Sequence, residues 1–287
     1  MESMKLRRGE ISRVWKTAGL IALATAILVP GVAIGQEEEE AHFDVLLFDD
    51  GSGNLRAGAI DVDELLPELG TVAIEGELLG DTTSGTPTFQ GEDPGFFGVS
   101  DVNAGTLGGG ADNLPGGASV TVDFLVEPTL NLSLSYWDDS LGQFGATPNG
   151  ETLTLSSGAS LFGSLGGTNE VIGVAIGTTS VTTGFVDDHP DYDLGAGTEG
   201  VYLAYGQANV AGLTGPSNPF WIVFGTLDIC EETDSCSAMQ ELFNEGIEEQ
   251  IEAGIDYVNA TLVPEPGTAL LMGLGLMGLS AAGGRRD

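Results

Sequence analysis

Val120-Thr121-Val122-Asp123-Phe124-Leu125-Val126 puts Val120, Val122 and Phe124 on one side of an extended chain and Thr121, Asp123 and Leu125 on the other. A period of two is the mark of a strand with one face in a core. Further strands are read outward at residues 130–137, 152–155, 171–176, 200–205 and 220–224, with a period of two in nearly all of them. Towards the N-terminus, residues 43–48 and 55–62 flank Asp49-Asp50-Gly51-Ser52-Gly53-Asn54, a hairpin signal. Gly, Asn, Asp and Pro fill the intervals, and the Gly-rich pieces 105–117 and 163–167 read as loops, because no Gly-Lys-Ser/Thr phosphate motif accompanies them. This pattern predicts a mainly β fold, an antiparallel β-sandwich of jelly-roll type.

Two segments read as helical. Residues 63–69 are expected to form a turn or two. Residues 237–258 carry Met239, Leu242, Phe243, Ile247, Ile251, Ile255 and Val258 at helical spacing, opposite Glu241, Glu245, Glu248, Glu249 and Glu252. Ser235 or Ser237 is the expected cap. An amphipathic helix lying on the sandwich is therefore expected, with a partner-binding helix as the alternative.

The charge is unevenly placed. Lys5, Arg7, Arg8, Arg13 and Lys16 precede an apolar run at 18–29, and Ala33-Ile34-Gly35 offers small residues where a signal peptidase reads. Residues 1–35 are thus expected to be a signal peptide cut before Gln36, with an uncleaved anchor as the alternative. Arg285 and Arg286 stand at the other end, so residues 36–262 keep only Arg56 and no lysine. Of 43 acidic residues only Glu2, Glu10, Glu265 and Asp287 lie outside that span, which leaves 39 within it. A field so negative repels nucleic acid and anionic lipid and favours cations.

Few residues carry reactive chemistry. The chain has no Gly-x-Ser-x-Gly elbow and no His-Glu-x-x-His helix, and its single ectodomain arginine cannot clamp an anionic substrate. A non-enzymatic role is expected. Cys230 and Cys236 are the only cysteines, and in an exported chain they are expected to form a disulfide. The two histidines sit beside carboxylates: His42 before Asp44, and His189 in Asp187-Asp188-His189-Pro190-Asp191-Tyr192-Asp193. His42, Asp44, His189 and Asp191 are the candidate ligands for zinc or another divalent ion, and the Asp-rich loop alone offers oxygen ligands for calcium. Solvated surface histidines are the plain alternative. Tyr136, Trp137, Tyr192 and Trp221 are the aromatics available to stack on sugar, or else to fill the core.

The tail has a grammar of its own. Val263-Pro264-Glu265-Pro266 is a stiff break, residues 267–284 are apolar and small, and Arg285-Arg286 closes the chain. This arrangement resembles the PEP-CTERM sorting signal. The resemblance implies recognition by an exosortase-type membrane enzyme, removal of the tail near Pro264, Glu265 and Pro266, and delivery to the surface or extracellular matrix of a Gram-negative, exopolysaccharide-producing bacterium. Until processing, the apolar segment holds the chain in the membrane. The expected organisation is a signal peptide at 1–35, an acidic ectodomain at 36–236, a helix and linker at 237–262, and the sorting signal at 263–287.

A second resemblance spans the ectodomain. It is carried by His42-Phe43-Asp44-Val45, Asp50-Gly51-Ser52-Gly53-Asn54-Leu55, Tyr136-Trp137-Asp138, Gly200-Val201-Tyr202-Leu203 and Pro219-Phe220-Trp221-Ile222-Val223-Phe224. These motifs are similar to those of secreted all-β PEP-CTERM proteins related to zinc-repressed and choice-of-anchor M surface proteins. The similarity implies a role around metal at the cell surface, although the expected His-x-His pairs stand here as single histidines. The expected function is that of a matrix protein associated with exopolysaccharide, with a binding protein for zinc or calcium as the alternative and a carbohydrate-binding module as a third reading.

Overall fold

The computed structural model describes residues 43–62, 65–70, 72–99, 111–230 and 236–263. The leader, His42 and the tail from Pro264 through Arg285 and Arg286 lie outside the described residues. In chain order the first eight strands are β1 (Phe43–Asp49), β2 (Leu55–Asp61), β3 (Leu66–Glu68), β4 (Ala73–Gly80), β5 (Phe89–Gly91), β6 (Phe96–Gly98), β7 (Ser119–Leu125) and β8 (Leu134–Asp138). Then follow β9 (Gln143–Gly145), β10 (Leu153–Ser157), β11 (Ser160–Leu165), β12 (Val171–Thr178), β13 (Val186–Asp188), β14 (Asp191–Gly195), β15 (Val201–Val210) and β16 (Phe220–Asp228). A single helix, α1 (Ala238–Tyr257), closes the described chain and runs on into a π-helical turn, Val258–Leu262.

The strands form a small sheet, β13-β6-β1-β2-β3, and a large one, β11-β10-β14-β5-β4-β16-β15-β7-β12, with β8 and β9 attached at β15. Val45, Leu47, Leu55 and Phe96 of the small sheet share one core with Val120, Val122, Phe124, Phe220, Ile222 and Phe224 of the large sheet. The mainly β class and the C-terminal helix stand as read from the alternation. The large sheet is curled and mixed, because β4 runs parallel to β16, just as β6 runs parallel to β1 in the small sheet. Both parallel pairs join strands far apart in sequence or linked by a crossover, as parallel pairing requires.

Strand β16 shows why the core divides in two. All nine of its residues are buried. Phe220, Ile222 and Phe224 face the small sheet, whereas Trp221, Val223 and Leu227 face α1. A strand covered on both sides needs no polar alternation, so it reads as a continuous apolar run. Gly225 lets the helix approach: a Cβ there would stand 2.4 Å from Ile251 Cδ1.

Helix α1 begins at Ser237, whose hydroxyl accepts from Gln240 N at 3.4 Å while Gln240 Oε1 accepts from Ser237 N at 3.0 Å. This reciprocal pair is a capping box. Its packed face is Asn244, Ile247, Ile251 and Gly254, continued by Val258. Met239 and Leu242, expected on that face, are exposed because they lie off the four-three spacing. At that end the helix is held by polar contacts instead. Asn244 Oδ1 accepts from Asp228 N at 2.8 Å, and Gln240 Nε2 donates to Asp228 Oδ1 at 2.8 Å. Cys230 and Cys236 are joined as a disulfide beside these contacts.

One helical expectation is overturned. Residues 66–68, expected within a short helix, form β3, pairing with Ala59, Ile60 and Asp61 of β2. Pro67 lacks a donor for helix or central sheet and is tolerated because β3 is an edge strand. Gly58 supports this packing, since a Cβ there would lie 2.9 Å from the Glu68 carbonyl oxygen.

Candidate cation site

Two crossings between the sheets meet at one corner of the domain. Between β5 and β6 the chain leaves the large sheet through Asp93 and Pro94, joined by a cis peptide. Between β13 and β14 it returns through His189 and Pro190. Strand β1 runs alongside β6 and supplies Asp44. Prolines at both crossings suit segments that must stop pairing in one sheet before joining another.

Asp44, Asp187 and His189 bring one ligand atom each within 4.8 Å of one another. His189 Nε2 lies 3.7 Å from Asp44 Oδ2 and 3.6 Å from Asp187 Oδ1. On the other side of the ring, Nδ1 lies 3.1 Å from Asp93 Oδ1 and 3.3 Å from the Glu92 carbonyl oxygen. Asp44 is 1 % exposed, and its Oδ1 accepts from Gly95 N at 2.7 Å. The imidazole lies against Gly95, where a Cβ would come within 2.5 Å of Cε1. Only glycine leaves room for the ring in this position. Below it, Tyr192 is buried and donates its hydroxyl to the Pro94 carbonyl oxygen at 3.1 Å, tying the crossing to the core.

The hydrogen bond with Asp93, helped by the charges of Asp44, Asp93 and Asp187, outweighs burial and lifts His189 to about 9. A raised histidine stabilises the folded state in its protonated form. That contribution is complete below the unfolded value near 6.5 and is lost as the pH rises through about 9. The urea midpoint of the metal-free protein is therefore expected to fall between pH 7 and pH 9.5. Residues 36–262 contain no lysine to titrate in that window. The fall should be absent in His189→Gln, and an equal fall in that variant would assign it elsewhere.

Of the four ligands expected from sequence, the structure joins Asp44 and His189, and His42 lies outside the described residues. Asp191 is not in the cluster. Pro190 separates the two strands, so Asp191 belongs to β14 in the large sheet and accepts from Ser156 Oγ at 3.3 Å. Asp187 and Asp93 take the places that sequence reasoning left unassigned. The shared signal was an Asp or His immediately before proline between two short strands: Asp93-Pro94 and His189-Pro190.

A groove of about 1110 Å³ reaches the rim of the cluster at Phe43 and Asp93. Its walls carry Glu77, Glu92, Asp191, Asp193 and Glu252. Such walls concentrate cations near the cluster. Other carboxylates are spent on loops. Asp49 Oδ1 accepts from Gly51 N and Gly53 N, each at 2.9 Å, so the hairpin carboxylates hold their own backbone. Glu127 Oε2 accepts from Thr129 N and Leu130 N in the same way. Glu151 accepts from Asn149 N and Thr198 Oγ1, and these bonds hold its carboxyl down at about 2 despite burial. The aromatics fill the core: Trp137 and Trp221 lie under α1 and Tyr192 lies between the sheets, which removes them as sugar platforms. Tyr136 is half-buried with its hydroxyl donated to the Glu199 carbonyl oxygen.

Fold and site thus describe a mainly β domain with an acidic groove and a histidine–carboxylate corner. Residues 262–286 match the PEP-CTERM protein-sorting motif. The motif marks an exported, cell-surface-directed protein of Gram-negative bacteria, processed by an exosortase-type enzyme. No curated protein and no solved structure matches the chain. Among the described residues no helix is long and apolar enough to cross a membrane, and the apolar stretch 267–284 lies outside them.

Proposed function

We propose that the chain is a non-enzymatic surface protein of the extracellular matrix whose β domain holds a divalent cation at Asp44, Asp187 and His189. In this reading signal peptidase removes the leader and an exosortase-type enzyme removes the tail. The observation that carries the cation reading is the convergence of Asp44 and Asp187 on His189 Nε2, with Asp44 buried. Asp93 stands on the far side of the ring, so three carboxylates approach one imidazole. Carboxylate oxygens and an imidazole nitrogen that converge on one point are a donor set for a divalent cation. Calorimetry of the mature protein with zinc and with calcium tests the reading. One bound equivalent is expected at micromolar metal, and no heat with either ion up to millimolar concentration would sink it.

Association with exopolysaccharide follows from the same charge. Arg56, the one arginine or lysine of residues 36–262, already lies 3.5 Å from Asp50 Oδ2. Direct ion pairs to an anionic polysaccharide are therefore few, and contact runs through bridging cations. The protein is expected to sediment with purified exopolysaccharide in calcium and to be released by EDTA. Failure to sediment in either condition would count against the matrix role.

A further inference from the structure

We infer that the corner site is built for a zinc-class cation in preference to calcium, and that Asp93 is the positioning residue that presents the imidazole to it. This inference rests on the cation reading above. It starts from the different surroundings of the two ring nitrogens. Nδ1 is at hydrogen-bond distance from Asp93 Oδ1, 3.1 Å. Nε2 is 3.7 Å and 3.6 Å from Asp44 Oδ2 and Asp187 Oδ1. A charged N–H···O bond closes to about 2.7–2.9 Å, so the Nε2 spacings are too long for one. They are close to those of a shared coordination shell, since two atoms bound at about 2.0–2.2 Å to a tetrahedral zinc lie about 3.4 Å apart.

A carboxylate on one ring nitrogen keeps the proton there, so that metal takes the other nitrogen in exchange for its proton. Asp93 does this from the β5–β6 crossing, and the ring has no latitude on its other side because it lies against Gly95. One nitrogen and two carboxylates are a set suited to zinc and its neighbours, whereas calcium takes about six to eight oxygens. The groove gathers either ion by charge. The imidazole selects between them.

Cobalt bound to the mature protein provides the probe, through its visible absorption. Zinc is expected to displace it at stoichiometric concentration, and calcium to leave the spectrum unchanged at millimolar concentration. In Asp93→Asn zinc affinity is expected to fall roughly 10- to 100-fold, with the cobalt spectrum altered. Long-range proton–nitrogen NMR of the zinc-loaded unmodified protein should place the metal on Nε2 and the proton on Nδ1 of His189. This measurement does not depend on the variant folding. Calcium displacing cobalt as readily as zinc would overturn the selectivity and leave cation binding standing. Zinc on Nδ1, or unchanged affinity and spectrum in Asp93→Asn, would overturn the role of Asp93. Absence of any bound metal would instead remove the cation reading itself.

Discussion

Asp44→Asn is expected to weaken zinc binding by more than the roughly 10- to 100-fold that loss of an outer hydrogen-bond partner costs. The substitution is nearly isosteric. The amide that replaces the carboxylate keeps an oxygen to accept from Gly95 N, a bond of 2.7 Å in the unmodified protein, so the β1–β6 corner retains its backbone hydrogen bond. What disappears is the anionic oxygen 3.7 Å from His189 Nε2, and with it one ligand and one charge. Asp44→Ala is a harsher variant, because it also leaves the Gly95 N–H without this acceptor, at a cost of about 1–3 kcal/mol. The pair of variants separates binding from folding: calorimetry with zinc should fail in both, while the alanine variant should lose more stability to urea than the asparagine variant. Undiminished zinc binding in Asp44→Asn would place the metal elsewhere.

Phe224→Ala is expected to cost about 3–5 kcal/mol, against a total stability of about 5–15 kcal/mol for a domain of this kind. Phe224 is fully buried on β16, with β4 on one side and β15 on the other. Its ring lies 4.8 Å from that of Tyr192, and Gly76 lies so near that a Cβ there would be 2.7 Å from Phe224 Cδ1. Neighbours fixed in the hydrogen-bonded strands β4 and β14 cannot collapse into the space left by the ring, which puts the cost at the upper end of such substitutions. The effect reaches the site as well. Tyr192 holds Pro94 by its hydroxyl, and Pro94 follows Asp93. Urea unfolding should show a lowered midpoint with the slope unchanged, and an unchanged midpoint would show that the two sheets do not share this core.

The alternation in residues 120–126 located β7, and the apolar run 220–224 located most of β16, because burial of one face or both leaves a periodic trace along the chain. The helix was legible from its spacing and its cap. Short edge elements were not: β3 contains a proline and three residues, too few to establish a period. The candidate site was half legible. Histidine beside aspartate is visible in sequence, so Asp44 and His189 could be named. Asp93 could not, because it is 96 residues from His189 and meets it only where two crossings adjoin.

By itself, then, the sequence determined the mainly β class, the acidic character of the domain, the closing helix and the sorting motif at 262–286, all of which are written in local pattern or composition. Tertiary structure decided which strands became parallel partners, that Trp137, Trp221 and Tyr192 are core, and that Asp191 parts from His189 while Asp93 and Asp187 join it. The reason is geometric. Strand period tells which face a residue occupies, whereas the meeting of two sheet crossings depends on pairing between segments far apart in the chain, which no local spacing encodes.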